Sequence, residues 1–326
     1  MNINITGSND DLDAVAKAIG TIIKDDTITI PDSLGSGNIK RFDFSSSMKM
    51  MLVQCIFHEE ITFKRNSLEN EEIISLGFRN VVDDEPEKSN SIKGLPSVFV
   101  SRTDFEIEFQ YPARTNINLI IIIIKISLLK EMLNADENII SQLQPIFSID
   151  KPFHFEELMS AEIQGIASRL HKVQATDPLR LFYCRVKGEE MIYLFLQALL
   201  KRKDIFSHPF NNEDVKMIYH IRGRLIHDVS EIPNLPELAR CAYMSESKMK
   251  KLFKQIFGKS IYNYYQHCRM MEAAYVIREK NYSVSQAGHH VGFTSLSHFT
   301  TVFEEHIGLK PKKYAQGLIH SYDSRL

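Results

Sequence analysis

Lysines cluster at helical spacing in the stretch between Ser245 and Gly258. Apolar residues recur there at i, i+3, i+4 and i+7, as Met249, Leu252, Phe253 and Ile256. This pattern predicts a helix with one buried face. The opposite face carries Ser247, Lys248, Lys250, Lys251 and Lys254. Lysines on a short exposed helix can neutralise phosphates or reach guanine edges in a DNA major groove, whereas a solvated lysine face is the alternative for a helix that stands alone.

The same pattern occurs again fifty residues later. Ser245, Phe253, Gly258 and Tyr264 correspond in order to Ser295, Phe303, Gly308 and Tyr314. Each copy predicts a short helix, a tight turn and a second helix that ends at the glycine. In the second copy this second helix is predicted to bury Phe299, Val302, Phe303 and Ile307. It would expose Leu296, Ser297, His298, Thr300 and Thr301.

Further helices are predicted to position the two copies. A leading helix is outlined by Val215, Ile218, Tyr219, Ile221 and Leu225. Asn234 with Glu237 three residues later has the spacing of a capping box at the start of the first copy. A long helix from Ile261 to Ile277, broken near Asn281, joins the copies. Two exposed helices held by a rigid connection can enter successive major grooves, about 34 Å apart.

The C-terminal third of the chain resembles a known family. The run Val291-Gly292-Phe293-Thr294-Ser295, followed by Phe299, Phe303, Gly308, Pro311 and Tyr314, is similar to the C-terminal signature of AraC/XylS bacterial transcription regulators. The segment from Leu235 to Tyr264 resembles the same family's first helix-turn-helix. The resemblance implies an all-α DNA-binding domain of two helix-turn-helix units joined by a linker helix. An effector-sensing or dimerising domain usually precedes it, often a cupin-like β-barrel with helices.

The resemblance also implies which residues contact DNA. They are Ser247, Lys250 and Lys251 in the first helix-turn-helix, and Leu296, Ser297, His298, Thr300 and Thr301 in the second. Lys254 is added to the first group because helical spacing places it on the same face.

The second helix-turn-helix departs from the family pattern. Ala287-Gly288 stands where a larger aliphatic residue and Ala are usual, and Gly within a helix costs about 1 kcal/mol. The exposed face of its second helix has no Lys or Arg, and Glu304 and Glu305 follow near its end. The first helix-turn-helix is therefore predicted to supply most of the affinity. His289 and His290 point in different directions on a helix, so no metal site is predicted there.

Upstream, apolar residues come in short β-branched and aromatic runs with no helical period. The runs are Met50 to Phe63, Ile73 to Val82, Ser97 to Val100, Asp104 to Tyr111 and Ile117 to Ile126. They predict an antiparallel barrel or sandwich, with a mixed α+β domain as the alternative. Phe105 to Phe109 alternates like a half-buried strand, and Leu119 to Ile124 is predicted to be buried on both sides. Asp10 to Ile23, with Ser8 or Asp10 as cap, predicts a helix, and Pro31 with Gly35-Ser36-Gly37 predicts a loop.

Helical periodicity returns from Phe155 to Lys203. One helix is marked by Leu158, Ala161, Ile163, Ile166, Ala167 and Leu170, and another by Leu179, Tyr183, Val186, Met191, Leu194, Phe195, Ala198 and Leu199. This pair either presents an apolar stripe to a second subunit or covers the sheet. Ser207 to Asn212 interrupts the pattern. The predicted organisation is therefore α+β and multidomain: a regulatory β domain over 1–150, a helical dimerisation or packing segment over 151–210, and the DNA-binding domain over 211–326.

Composition agrees with two globular domains. The chain has 326 residues, of which 44% are hydrophobic and 25% charged. Residues 211–326 carry 16 Lys and Arg against 11 Asp and Glu, a net +5, and the remaining residues carry 23 against 30, a net −7. No signal peptide is recognised, and the apolar run from Leu119 to Ile124 is too short for a bilayer span, so a cytoplasmic protein without a membrane partner is predicted. Buried free thiols are predicted for Cys55, Cys184, Cys241 and Cys268.

No catalytic constellation is recognised before residue 210, so a non-enzymatic protein without a cofactor is predicted. His58 is the one histidine before residue 150, and no phosphate-binding glycine loop or nucleophile elbow occurs. The leading hypothesis is a sequence-specific, effector-responsive transcription regulator. The alternatives are a ligand-independent regulator whose N-terminal domain serves only oligomerisation or partner binding, and an enzyme with a DNA-binding tail. The partners considered are double-stranded DNA, a small-molecule effector, RNA polymerase and a second copy of the chain. The sequence assigns no effector-binding residues and no direction of regulation.

Overall fold

The computed structural model describes residues 2–5, 12–65, 72–79, 96–102, 107–134, 137–147, 154–174, 176–202 and 212–316. The chain divides into two compact units, residues 1–212 with 255–258 and residues 213–254 with 259–326. Some predicted features lie outside the described residues. They are the caps Ser8 and Asp10, the turns at 66–71 and 83–90, the alternating side chains of Phe105 to Phe109, and the interrupting segment at 207–211.

Eight strands of the N-terminal compact unit form one sheet. They are β2 (Ile23–Lys24), β3 (Thr27–Thr29), β4 (Gly35–Ser45), β5 (Met48–Phe57), β7 (Ile73–Arg79), β8 (Ser97–Arg102), β10 (Asn116–Lys125) and β11 (His154–Leu158). Their order is β11-β8-β7-β10-β5-β4-β3-β2, and every neighbouring pair is antiparallel. The predicted antiparallel sheet is confirmed. The cupin-like closed barrel is not confirmed, because β11 and β2 stand at opposite ends of an open sheet in the described part of the chain.

A second sheet contains β1 (Asn2–Ile5), β6 (Ile61–Arg65) and β9 (Ile107–Tyr111) in the order β1-β6-β9. β6 and β9 are antiparallel, but β1 pairs with β6 in parallel, with Ile3 opposite Phe63. The predicted strands did not include β1, and its parallel pairing differs from the antiparallel arrangement predicted for the runs from Met50 to Ile126. A parallel partner needs a long connection, and here the connection contains α1 (Leu12–Ile19) and β2 to β5.

The loop predicted at Gly35-Ser36-Gly37 is wrong, because these residues begin β4. Gly35 pairs with Phe57 and Gly37 pairs with Cys55. A Cβ atom at Gly35 would lie 2.0 Å from the Ile56 carbonyl oxygen, and one at Gly37 would lie 2.1 Å from that of Gln54. Glycine serves close backbone approach at these two positions.

β10 lies between two hydrophobic cores. Ile120, Ile122 and Ile124 pack in a core on one face of the sheet, which includes residues of the helices that follow β10. Leu119 and Ile123 pack in a second core that also contains residues of α1. The prediction of a strand buried on both sides is confirmed, with Ile121 only partly covered.

The helices of the N-terminal compact unit are α2 (Ile126–Met132), α3 (Glu137–Gln142), α4 (Gln144–Phe147), α5 (Ala161–His171) and α6 (Arg180–Leu200). The predicted helix containing Leu158 begins too early, because residues 154–158 form β11 beside β8. Ser160 then caps α5 by accepting a hydrogen bond from the amide of Ile163. On α6, Met191, Phe195 and Leu199 pack in the first core, so this helix does cover the sheet.

The C-terminal compact unit contains seven described helices: α7 (Asn212–His227), α8 (Leu235–Cys241), α9 (Glu246–Phe257), α10 (Ile261–Glu279), α11 (Val284–His290), α12 (Leu296–Ile307) and α13 (Pro311–Ala315). The predicted all-helical order is confirmed. Cys55, Cys184 and Cys268 are buried free thiols, but Cys241 is exposed, and the prediction for it is wrong. None of the helices that the structure describes has the length and apolar character to span a membrane.

Candidate nucleic-acid interface

The fifty-residue repeat is also a repeat of contacts. The Ser245 hydroxyl accepts a hydrogen bond from the amide of Lys248 at 3.2 Å, at the start of α9. In the same way, the Ser295 hydroxyl accepts a hydrogen bond from the amide of His298 at 3.3 Å, at the start of α12. The ring centroids of Phe253 and Tyr264 lie 5.4 Å apart, and those of Phe303 and Tyr314 lie 5.6 Å apart, both edge to face. Gly258 and Gly308 have φ of 68° and 82°, the left-handed conformation that ends a helix. Each copy is therefore a helix-turn-helix closed by the same aromatic pair.

The entry to α8 differs from a complete capping box. The Asn234 side chain accepts the amide of Glu237 at 3.2 Å, as predicted. The Glu237 carboxylate instead accepts a hydrogen bond from the Arg224 guanidinium on α7 at 2.9 Å. The full capping box occurs in the second copy, between Ser283 and Gln286.

The lysine face of α9 is exposed as predicted, while Met249, Leu252, Phe253 and Ile256 are buried. The lysines differ in their contacts. The ammonium of Lys248 lies 2.7 Å from the carboxylate of Asp214 on α7, and Lys250 pairs with Glu246 on its own helix. Lys251 is exposed and makes no hydrogen bond or ion pair with any residue that the structure describes.

The structure adds Tyr243 to the surface beside α9. It occupies the turn between α8 and α9 with a φ of 52°, and its side chain is 94% exposed. Its phenol hydroxyl can donate a hydrogen bond close to the N-terminus of α9. The sequence analysis did not single out Tyr243, because a single aromatic in a turn gives no periodic signal.

The exposed face predicted for α12 has fewer available hydrogen-bond donors than its residue types suggest. Ser297, His298 and Thr301 are exposed, Leu296 is 39% exposed, and Thr300 is half-buried. The Thr300 hydroxyl donates to the Leu296 carbonyl at 2.8 Å, and the Thr301 hydroxyl donates to that of Ser297 at 3.2 Å. The hydroxyl protons are thus used within the helix, and the oxygens retain only acceptor capacity.

Two contacts within the second helix-turn-helix position α12, one between aromatic rings and one at a glycine. The His298 ring lies edge to face on Phe293, with centroids 5.3 Å apart. A Cβ atom at Gly288 on α11 would lie 3.2 Å from Leu296 Cδ2 and 3.2 Å from Phe299 Cδ1. The unusual helical glycine therefore makes room for the first turn of α12. Phe299 and Phe303 are buried as predicted, whereas Val302 and Ile307 are only partly buried.

A buried arginine of the linker helix α10 contacts the turn of the second helix-turn-helix. The guanidinium of Arg269 lies 4.0 Å from the ring centroid of Phe293, and its Nε donates to the Val291 carbonyl at 2.8 Å. Burial lowers the pKa of Arg269, although a guanidinium stays charged in proteins. At the other end, Arg222 of α7 donates to the Tyr264 hydroxyl at 2.7 Å. α10 has 19 residues and therefore spans about 28 Å.

His289 and His290 make separate contacts, as their adjacent positions predict. His289 Nδ1 lies 3.1 Å from the Phe293 carbonyl oxygen, and His290 Nε2 lies 3.2 Å from a Glu272 carboxylate oxygen. No group of three or more His, Cys, Asp or Glu side chains that could hold a metal occurs within the described ranges.

Comparison with known proteins identifies the repeated segment. A family model described as a helix-turn-helix domain matches residues 238–317. The transcriptional activator RhaR of Yersinia pestis bv. Antiqua (strain Angola) is 32% identical over 138 residues, which are 40% of this chain and 46% of that protein. The regulatory protein PchR of Pseudomonas aeruginosa is 30% identical over 112 residues, 34% of this chain and 38% of that protein. The chain thus spans less than half the length of either relative.

Among solved structures, ToxT from Vibrio cholerae aligns with 83% of this chain and 98% of its own, at 12% identity and a TM-score of 0.32. The matched family model contains α9 to α13, both exposed helix faces and the linker helix. Residues 238–317 of this chain therefore match a helix-turn-helix domain, in the same segment whose sequence resembles the AraC/XylS regulators.

Proposed function

We propose that this chain is a sequence-specific transcription regulator that binds double-stranded DNA through α9 and α12. The observation that carries the proposal is the repeat of one contact pattern, which presents two exposed helix faces from a single linker helix. Two such helices on one support can occupy successive major grooves. The relatives that match this segment are named as regulators, which supports a role other than catalysis.

Each face has chemistry suited to a different share of the contact. On α9, Lys250, Lys251 and Lys254 supply cations for phosphates or guanine edges, and Ser247 can donate or accept a hydrogen bond. On α12, the Leu296 side chain suits a thymine methyl group. Short polar contacts are supplied by Ser297, His298, Thr300 and Thr301, and this face has no Lys or Arg. α9 therefore provides most of the electrostatic affinity in this proposal.

The test is a DNA-binding titration on the full chain with an operator selected from a random-sequence pool. The double substitution Lys250→Ala with Lys251→Ala is expected to weaken binding by roughly tenfold or more, since a lost base contact costs about 1–3 kcal/mol and a lost phosphate contact weakens binding to every sequence. Lys17→Ala with Lys24→Ala is the matched control, because both lysines are exposed in the other compact unit. Equal losses in the two double variants would contradict the assignment to α9.

The outer face of α6, together with Leu179 just before it, favours a second copy of the chain as a partner. Leu179, Phe182, Val186 and Tyr193 are 65%, 67%, 41% and 60% exposed, and they recur at helical spacing. A two-fold interface uses the same patch on both copies, so an apolar row can cover itself. Light scattering during gel filtration is expected to show a dimer that Phe182→Glu converts to a monomer. Ile22→Glu, at another exposed apolar residue, is the control, and a dimer that survives Phe182→Glu would refute this interface.

A small-molecule effector is proposed for the β domain on one further observation. Ser75, Ser101 and His154 are cross-strand neighbours on β7, β8 and β11, and all three are buried. On the same strands, Arg79 donates to Ser97 Oγ at 3.2 Å and pairs with Glu156. A buried polar row can provide the few directional contacts that fix a ligand. At least one compound of a metabolite panel should then raise the Tm of the full chain, and the increase should be smaller in Ser101→Val. If no compound in the panel raises the Tm, the result favours the ligand-independent alternative.

Contact with RNA polymerase and the three-segment division at 150 and 210 stay predictions. A cytoplasmic location belongs to the same proposal, because it is where a bacterial operator would be reached.

A further inference from the structure

Two histidines meet where α10 contacts α12. His267 Nδ1 on α10 lies 3.4 Å from His306 Nδ1 on α12, and the ring centroids are 5.5 Å apart at an interplanar angle of 54°. This separation is at the long end for a hydrogen bond, since N–H···O bonds in proteins are usually about 2.7–3.2 Å long. The distance matches another arrangement. Two imidazole nitrogens at about 2.0–2.1 Å from one tetrahedral zinc ion are separated by about 3.3–3.4 Å.

We propose that His267 and His306 form a binding site for a divalent transition metal ion of the zinc, cobalt or nickel type. Imidazole nitrogen is a preferred ligand for these ions. An ion about 2.0 Å from both Nδ1 atoms would lie about 1 Å off the line that joins them.

The surroundings keep both ligands in the form that binds metal. Burial, followed by the charge of Lys259 and the neighbouring His306, lowers the pKa of His267 to about 4. Burial also lowers the pKa of His306, with Glu305 opposing the shift and Lys259 adding to it. Metal ligation requires neutral imidazole.

Water must supply the remaining ligands of the metal ion, and the positive charge of Lys259 opposes its binding. No third His, Cys, Asp or Glu groups with the pair in the part of the chain that the structure describes. Both histidines are partly exposed, so water can reach the remaining positions. Lys259 is close enough to affect both rings and repels a cation. Its removal should strengthen the site.

A metal ion bound by both histidines would link the end of α12 to the middle of α10. A ligand that binds only the folded state stabilises it by mass action. The inference does not rest on DNA binding, because its readout is metal binding and thermal stability without DNA.

The experiment is a thermal-unfolding titration of the full, tag-free chain with ZnCl₂ and separately with NiCl₂ at pH 7. A Tm increase that saturates is expected for the unmodified chain, and His267→Gln and His306→Gln should each abolish it. His290→Gln is the control, because that ring pairs with Glu272 elsewhere on the surface and should leave the increase unchanged. No increase in the unmodified chain, or an increase that persists in both ligand variants, would overturn the proposal.

A second variant keeps both imidazoles and so covers the case in which a histidine variant does not fold. Lys259→Gln should bind Zn²⁺ roughly two- to tenfold more tightly by calorimetry, because one nearby positive charge is removed. Unchanged or weaker binding would argue against a site between these two rings. A plain hydrogen bond between the histidines predicts no response to either metal.

Discussion

Lys250 and Lys251 are neighbours on α9 but differ in their ion pairing. Lys250 is held by Glu246 on the same helix, whereas Lys251 is exposed without a described partner. A DNA phosphate must compete with Glu246 for Lys250 and meets no such competitor at Lys251. Lys251→Ala is therefore expected to weaken operator binding more than Lys250→Ala, and to reduce the salt slope by about one if the contact is to phosphate.

Fluorescence anisotropy at several salt concentrations measures both quantities. Glu246→Gln is the matched test of the same reasoning, because it releases Lys250 and should tighten binding. A larger loss for Lys250→Ala, or a loss of affinity in Glu246→Gln, would show that the intrahelical pair does not govern these lysines.

Arg269 is the residue whose removal should most weaken the second helix-turn-helix. Arg269→Met keeps an apolar stem but leaves the buried Val291 carbonyl without the donor that now reaches it at 2.8 Å. An unsatisfied buried acceptor and the lost stacking on Phe293 should lower the free energy of unfolding by about 2–4 kcal/mol. Urea unfolding measures the change, and Arg240→Met, at an exposed arginine, should change it by less than about 0.5 kcal/mol.

Sequence periodicity predicted which side of a helix is buried but not which partners its polar residues take. The buried stripe of α9 and the exposed positions opposite it follow from 3.6-residue spacing alone. The partner of Lys248, in contrast, is Asp214, 34 positions earlier, and Arg269 reaches Val291, 22 positions later. Such contacts depend on how helices pack, so a single sequence could not reveal the role of Arg269 or the approach of His267 to His306.

At the scale of elements, Gly223 and Gly288 form a matched pair of helical glycines. Nothing lies within 4 Å of a Cβ added at Gly223 on α7, whereas one at Gly288 on α11 meets Leu296 and Phe299 at 3.2 Å. Gly223→Ala should raise the free energy of unfolding by about 0.5–1 kcal/mol through helix propensity and loss of unfolded-state entropy. Gly288→Ala should show no such gain, because the first turn of α12 must yield.

Urea unfolding of both variants tests the pair, and operator binding separates the consequences. Gly288→Ala moves Leu296, a proposed base contact, so its affinity should fall while that of Gly223→Ala stays unchanged. Equal stabilisation by the two substitutions would mean that Leu296 and Phe299 adapt freely and that the glycine is not needed for packing.

The elements that sequence reasoning recovered are those with a long or repeated pattern. α7, α9 and α10 were predicted because each has at least three apolar positions at helical spacing, and the central strand β10 was predicted from its unbroken run of β-branched residues. β11 was absorbed into a predicted helix, since five residues from His154 to Leu158 are too few to establish a period before α5 begins. The start of β4 was assigned to a loop because Gly35 and Gly37 suggest a turn, although here they serve close strand pairing. The parallel partner of β6 had no local signal at all.

At the scale of the whole molecule, positive charge is concentrated where DNA binding is proposed. Residues 211–326 carry a net +5 and the remaining residues a net −7. Within the C-terminal compact unit the distribution is again unequal, because the exposed face of α9 carries lysines while α12 carries none. Glu304 and Glu305 are exposed and follow Thr301 at the three- and four-residue spacing of one helix face. Salt-dependent affinity should therefore come mainly from α9.

Paired substitutions in the two copies test this asymmetry. Lys250→Ala with Lys251→Ala removes two cations and should reduce the slope of log affinity against log salt by about two. His298→Ala with Thr300→Ala removes no Lys or Arg, so it should leave the slope nearly unchanged and cost less affinity. The double substitution Glu304→Gln with Glu305→Gln should strengthen binding at low salt and lose that advantage as screening increases. If the α12 pair costs more affinity than the lysine pair, the second helix-turn-helix dominates recognition despite its neutral face, because its contacts are then specific rather than electrostatic.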